Sequence, residues 1–264
     1  MSLSVNSATS VSDHPATVAG VRINLESLPA AVFELVRRAR AGRGFTVFTL
    51  NLDHIVKLRQ NSLFRAAYRR ATHVTADGWP IVWLANRSER RVIRTTGADI
   101  VEPLCEAAAQ QGLPVYFIGP GEGARTGAVA ALRRRIPSMR IAGAESPIVV
   151  SGASTIHARA IAQRIANSGA RICFVSLGAP KQELMADALS MRCPEVGFVC
   201  VGAALDFISG RTLRAPAWMR SAGLEWLWRL ASEPRRLAVR YAACAYIFLL
   251  LALGAKALPV EAYR

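Results

Sequence analysis

Thr49, Asn51 and Asp77 are polar residues placed where apolar runs end. Thr49-Leu-Asn51 closes the run Phe45–Leu50, and Ala76-Asp77-Gly78 closes Val74–Ala76. A carboxylate at the carboxyl end of an apolar strand loses solvation, which raises its proton affinity toward that of a useful general base. An Asp-Gly pair also has a plain structural use as a turn. Asn51 can cap the helix that follows or contact a ligand, and the two uses are compatible. A third turn, Gly178-Ala-Pro-Lys-Gln-Glu183, follows the run at Ile172. Pro180 and Glu183 suit an ordinary helix start, yet Lys181 could meet a phosphate and Gln182 a base or a sugar hydroxyl. A fourth, Gly202-Ala-Ala-Leu-Asp206, follows Val196–Val201.

Strands must deliver these groups to one place. Five apolar runs, Phe45–Leu50, Val74–Ala76, Val115–Ile118, the run at Ile172 and Val196–Val201, each hand over to Gly, Asn or Asp. That pattern predicts a Rossmann-like α/β core of mainly parallel strands with its site at their carboxyl ends. Helical spacing is expected over Leu28–Ala41, Leu52–Tyr68, from a Thr95 or Thr96 cap to Gln111, and over Ser154–Asn167. The turn Gly119-Pro-Gly-Glu-Gly123 lacks the G-x-G-x-x-G spacing, which weighs against the alternative of a nucleotide-binding oxidoreductase.

At 264 residues and 52% hydrophobic, the chain can bury a full core with an appendage. Its net charge of +15 comes from 33 basic residues against 18 acidic ones. Only Lys57, Lys181 and Lys256 of the basic set are lysine. Arginine suits phosphate, whether in nucleic acid, lipid or nucleotide. The five cysteines show neither CxxC pairing nor zinc spacing and read as reduced thiols of a cytoplasmic protein. Met1–Gly20 has neither a basic nor an apolar signal region and is expected to be a disordered lead-in, with the core over 21–206.

Residues 207–264 differ in character. Across Arg211–Arg240, the seven arginines Arg211, Arg214, Arg220, Arg229, Arg235, Arg236 and Arg240 stand against only Glu225 and Glu233, and are interleaved with Trp218, Trp226 and Trp228. Such a segment fits a lipid headgroup boundary or a nucleic-acid face. Tyr241–Ala255, uncharged and mostly apolar, favours lipid and no nucleic acid. It is shorter than the roughly 20 residues a span needs, so a peripheral, interfacial helix is expected.

Thr49-Leu-Asn51, Ala76-Asp77-Gly78, Thr96-Gly-Ala-Asp99, Gly178–Glu183, Gly202–Asp206, Arg214-Ala-Pro216, Gly223-Leu-Glu-Trp226 and Glu233-Pro-Arg-Arg236 stand in an order that resembles the WecG/TagA/CpsF glycosyltransferases. The resemblance implies a hexosyltransferase that moves a sugar from a UDP-sugar to a polyprenyl-diphosphate-linked sugar. Transfer would proceed with inversion, at the cytoplasmic face of the bacterial inner membrane, with no cofactor and no required metal. The chain has no Asp-x-Asp triplet, which agrees. Asp77 matches the catalytic base, and Thr49 and Asn51 match polar positions beside it. Gly78, Gly178, Lys181, Gln182, Glu183 and Asp206 fall at substrate-facing turns. Arg229, Arg235, Arg236 and Arg240 fall where the appendage offers arginines to the diphosphate. Trp79 stands where relatives more often have a small residue and is expected to reshape the acceptor pocket. Sugar identity and oligomeric state stay open, including a homo-oligomer.

Overall fold

In the computed structural model, which describes residues 15–87, 91–147 and 155–255, the chain starts with a hairpin. Strand β1 (Ala16–Val18) pairs antiparallel with β2 (Val21–Ile23). Ala19 and Gly20 take positive φ, +50° and +74°, as a two-residue turn requires. Ala16, Val18 and Ile23 are buried, so the fold starts before Val21 and the disordered lead-in expected through Gly20 is corrected for Ala16–Gly20. For β1, three residues of alternation are too brief to register as a strand, whereas Val21–Asn24 reads as a short first strand and β2 bears that out. Residues 1–14 lie outside the described residues.

Helix α1 (Leu28–Arg40) begins at the Ser27 cap and buries Ala31, Leu35 and Ala39 at four-residue spacing. Strand β3 (Phe45–Leu50) is buried at every position, as befits a strand covered on both faces. The helix expected over Leu52–Tyr68 is two helices, α2 (Leu52–Gln60) and α3 (Ser62–Arg70). Asn61 separates them by accepting from the Phe64 N–H at 2.9 Å, which restarts the helix. Strand β4 (His73–Ala76) and helix α4 (Trp79–Ala85) follow.

Next come α5 (Gly97–Gln110), β5 (Val115–Ile118), α6 (Glu122–Arg135), β6 (Ile141–Glu145) and α7 (Thr155–Ser168). Then follow β7 (Ile172–Val175), α8 (Lys181–Ser190), β8 (Gly197–Cys200) and α9 (Ala204–Ile208). Strands β3 to β8 form one all-parallel sheet in the order β4-β3-β8-β7-β5-β6, the α/β core expected from the sequence. Helices α2, α3, α4 and α8 pack on one face, and α1, α5, α6 and α9 on the other. Adjacent strands β3 and β8 therefore send their helices, α2 and α9, to opposite faces. Their carboxyl ends part there, and such a parting is where open α/β sheets bind ligands.

Three helices close the described chain: α10 (Ala217–Ser221), α11 (Glu225–Ser232) and α12 (Pro234–Ala252). Leu237, Cys244 and Ile247 turn α12 onto the core, against α2 and α4. Its opposite stripe, Val239, Tyr246, Leu249 and Leu253, is exposed although apolar. Among the described residues no helix is long and apolar enough to cross a membrane.

Candidate active site

Asp77 leaves β4 beside the end of β3, its N–H donating to the Leu50 carbonyl at 2.8 Å. Asn51 performs both jobs open to it. Its Oδ1 caps α2 by accepting from the His54 N–H at 2.9 Å, and its Nδ2 donates to Asp77 Oδ2 at 3.3 Å. The cap fixes the Asn51 rotamer, and the fixed amide fixes the carboxylate. Asp77 is half-buried. Burial pushes its pKa above the ordinary aspartate value, and Glu225 adds to this, while the Asn51 hydrogen bond and the positive charges of Arg229 and Arg94 oppose it. The group is thus a carboxylate with raised proton affinity and one fixed donor, which suits a proton acceptor.

The start of α5 builds the next wall. Thr96 Oγ1 accepts from the Asp99 N–H at 3.2 Å and the Thr96 N–H donates to Asp99 Oδ2 at 3.3 Å, a capping box. Gly97 must be bare, because a Cβ there would stand 2.7 Å from the Val201 Cα at the end of β8. The preceding segment is laced to β4: Thr75 Oγ1 donates to the Thr95 carbonyl and the Thr95 N–H to the Ala76 carbonyl, both at 2.8 Å. That lacing brings Arg94 to Asp99, Nη1 to Oδ2 at 3.3 Å.

Arginines of the C-terminal segment meet this wall. Arg214 Nη2 donates to Asp99 Oδ1 at 2.7 Å and to Thr96 Oγ1 at 3.3 Å. Burial alone would raise the Asp99 pKa, but the Arg214 and Arg94 charges hold it below the usual range, so Asp99 stays ionised. Glu225, in the first turn of α11, accepts from Arg229 Nη2 at 2.9 Å and lies 3.7 Å from Arg214 Nε. The guanidinium groups of Arg214 and Arg229 both lie over the Phe207 ring, at 5.9 and 5.4 Å. The chain Arg94, Asp99, Arg214, Glu225, Arg229 carries a cationic group from the core to the neighbourhood of Asp77. Motifs at Thr96–Asp99, Arg214 and Glu225 carried the resemblance, yet beyond the helix cap at Thr95 or Thr96 the sequence assigns them no part in the site, since their meeting spans more than a hundred residues of chain.

Beneath the site lies a buried web. Gln182 Oε1 accepts from the Gly202 N–H at 3.0 Å, and its Nε2 donates to Glu183 Oε1 at 2.7 Å. Both side chains point into the protein, so Gln182 ties the ends of β7 and β8 together. His54 Nδ1 meets the Tyr68 hydroxyl at 2.7 Å, and that hydroxyl donates to the Thr49 carbonyl at 3.1 Å. Burial lowers the His54 pKa to about 4, so its 4.0 Å approach to Glu183 pairs a neutral ring with the carboxyl. Burial pushes Glu183 up to about 7, and Glu183 Oε2 has no hydrogen-bond partner among the described residues.

The web predicts a pH signature. Between 4.5 and about 7 the folded protein keeps the Glu183 proton that the unfolded chain releases. Stability from this group therefore falls as pH rises, by about 3 kcal/mol across the interval. His54 works the other way below 6.5, because the unfolded chain then binds the extra proton. The expected result is thus a difference: relative to Glu183→Gln, the wild type loses about 3 kcal/mol from pH 4.5 to 7 in denaturant titrations. A pH-independent difference would remove the buried, shifted carboxyl.

The remaining candidates spread around this centre. Thr49 is buried in β3 and Gly78 links Asp77 to α4. Gly178 is exposed and Lys181 half-buried at the start of α8. Asp206 is half-buried on α9, its pKa raised by burial against the pull of Arg211. Arg240 Nε lies 3.0 Å from Asp53 Oδ1, so it binds α12 to the start of α2, where Asp53 also pairs with Lys57. Arg235 and Arg236 are exposed on the first turn of α12, Arg236 pairing with Glu233. Of the four arginines expected at a diphosphate, Arg229 is among the largest influences on Asp77.

The family model described as "Glycosyl transferase WecG/TagA/CpsF family" matches residues 16–260. The chain belongs to that family. Membership makes it a glycosyltransferase of cell-envelope polysaccharide synthesis. The match starts at Ala16, the first residue of β1, and runs past α12. Hairpin and terminal helices thus both belong to what this WecG/TagA/CpsF chain shares with its family.

Proposed function

We propose that this glycosyltransferase moves a hexosyl group, of N-acetylmannosamine or glucose type, from a UDP-sugar to a polyprenyl-diphosphate-linked sugar. Asp77 takes the proton from the acceptor hydroxyl as that oxygen attacks the anomeric carbon from the side opposite the nucleotide, which inverts the centre. The C–O bond to UDP breaks and the electron pair leaves on the β-phosphate. Arg229 stabilises that charge, Arg235 and Arg236 lie farther along the same arginine series, and Arg240 holds α12 in place through Asp53. The observation that carries this reading is the Asp77 site, where one carboxylate of raised proton affinity, fixed by Asn51, feels the charge of a guanidinium brought in by the C-terminal segment.

The segment from residue 207 onward forms an appendage that completes the site of the core, whose hairpin starts at Ala16. The exposed stripe of Val239, Tyr246, Leu249 and Leu253 suits the surface of a bilayer rather than water. The enzyme then works as a peripheral protein at the cytoplasmic face of the inner membrane, where a lipid-linked acceptor is presented.

The test is UDP release by purified protein in detergent, across a panel of UDP-sugars, with and without undecaprenyl-diphosphate-linked glucose or N-acetylglucosamine. Release that requires one donor and one lipid acceptor is expected. A protein that binds no UDP would overturn the proposal.

A further inference from the structure

Two tryptophans on α4 have no part in the proton transfer described for Asp77. Trp79 is the first residue of α4, two beyond Asp77, and Trp83 stands one turn on. They remain 53% and 40% exposed, with rings stacked at 6.3 Å and 28°. Phe248 of α12 meets both, at 6.1 and 5.6 Å. The three rings make one aromatic face that starts beside the candidate base and ends on α12.

Both ends of the face are fixed. At the far end the Arg87 guanidinium lies over Trp83 at 5.3 Å and donates to the Ala252 carbonyl at 2.9 Å, joining the ends of α4 and α12. At the near end Gly223, at φ +74°, packs its backbone on Trp79. A Cβ there would stand 3.2 Å from the Trp79 Cβ, in a conformation that side chains rarely adopt. Structure has been spent on holding these rings while leaving them half uncovered, and exposed aromatic faces of this kind mark interaction sites.

We propose that this face seats the first isoprene units of the acceptor's lipid chain; this rests on the lipid-linked acceptor of the reading above. Three observations favour a hydrocarbon chain. Trp-Pro-Ile-Val-Trp-Leu-Ala, the whole of α4, offers no hydrogen-bonding side chain beyond the two indoles, whereas a sugar ring needs polar partners around its stacking face. The face begins at Trp79, two residues beyond Asp77, the base proposed to act on the acceptor hydroxyl. It ends beside the exposed apolar stripe of α12, at Leu249 and Leu253, so a chain leaving the rings passes to the surface proposed to meet lipid.

The experiment compares undecaprenyl diphosphate with inorganic diphosphate as ligands of the full chain in detergent micelles, with UDP binding measured on the same samples. Wild type is expected to prefer the prenyl compound by about ten-fold or more. Trp83→Gln should abolish that preference, Trp83→Phe should restore most of it, and neither should change UDP binding. Preference unaltered in Trp83→Gln would overturn the proposal. So would a variant that loses vesicle binding yet keeps its preference in micelles, because the face would then be a membrane anchor only. A wild type that binds UDP but shows no preference for the chain sinks this inference alone, whereas absence of UDP binding sinks the glycosyltransfer reading beneath it.

Discussion

Asp77→Asn is expected to lower the turnover number of sugar transfer by about a thousand-fold, equivalent to about 4 kcal/mol of transition-state stabilisation. The amide is isosteric and its oxygen still accepts from Asn51 Nδ2, so the 3.3 Å contact and the α2 cap survive. What is lost is the capacity to hold a proton. Affinity for the UDP-sugar should stay within about three-fold, since the base acts on the acceptor. The pH profile gives an independent reading. Burial raises the Asp77 pKa, so wild-type activity should rise with pH through an acid limb above the ordinary aspartate value of about 4 and then level. In the variant that limb should vanish. Stopped-flow or radiolabel turnover from pH 4 to 8 measures both, and a variant that keeps wild-type turnover removes Asp77 as the base.

The prediction leans on features legible in the sequence to different depths. Strand ends were legible because a strand covered on both faces is apolar throughout, and its last residue must change character where the chain meets the site. That argument places Asn51, Asp77 and Gly202 on one edge without any long-range information. The direction of a side chain is another matter. Lys181, Gln182 and Glu183 are consecutive, yet Gln182 and Glu183 point inward, Gln182 accepting from the Gly202 N–H and donating to Glu183, a choice set by how α8 sits on β7 and β8. Nothing local distinguishes a helix start that reads ligand from one that ties two loops. The break at Asn61 has the same origin, since the apolar spacing runs straight through it and only the side-chain cap shows it. Arg214 to Asp99 is a contact across 115 residues, and sequence spacing carries no record of it.

Arg229→Ala should produce the second large effect, a fall in turnover of about a hundred-fold or more, the usual range for removing one preorganised donor from a developing anion. Its present partners explain why stability should barely change. Arg229 is 43% exposed in its side chain and pairs with Glu225 four residues earlier on the same helix, an arrangement that contributes only about 0.3–0.5 kcal/mol. A thermal midpoint close to wild type alongside a large kinetic loss would separate chemistry from folding. The charge also acts on Asp77. Removing it raises the carboxyl's proton affinity, because Arg229 is one of the cations holding that affinity down and Glu225, which raises it, is left with Arg214 as its arginine partner. The acid limb of the pH profile should therefore move upward in Arg229→Ala and return part of the way in Arg229→Lys, which restores charge without the planar fork. If KM for the UDP-sugar rose with turnover unchanged, Arg229 would bind donor and transition state equally. If turnover fell with the limb unmoved, Arg229 would serve the leaving group without sensing the base. Both effects together are what one guanidinium whose charge acts on the departing diphosphate and on the half-buried Asp77 carboxylate must produce.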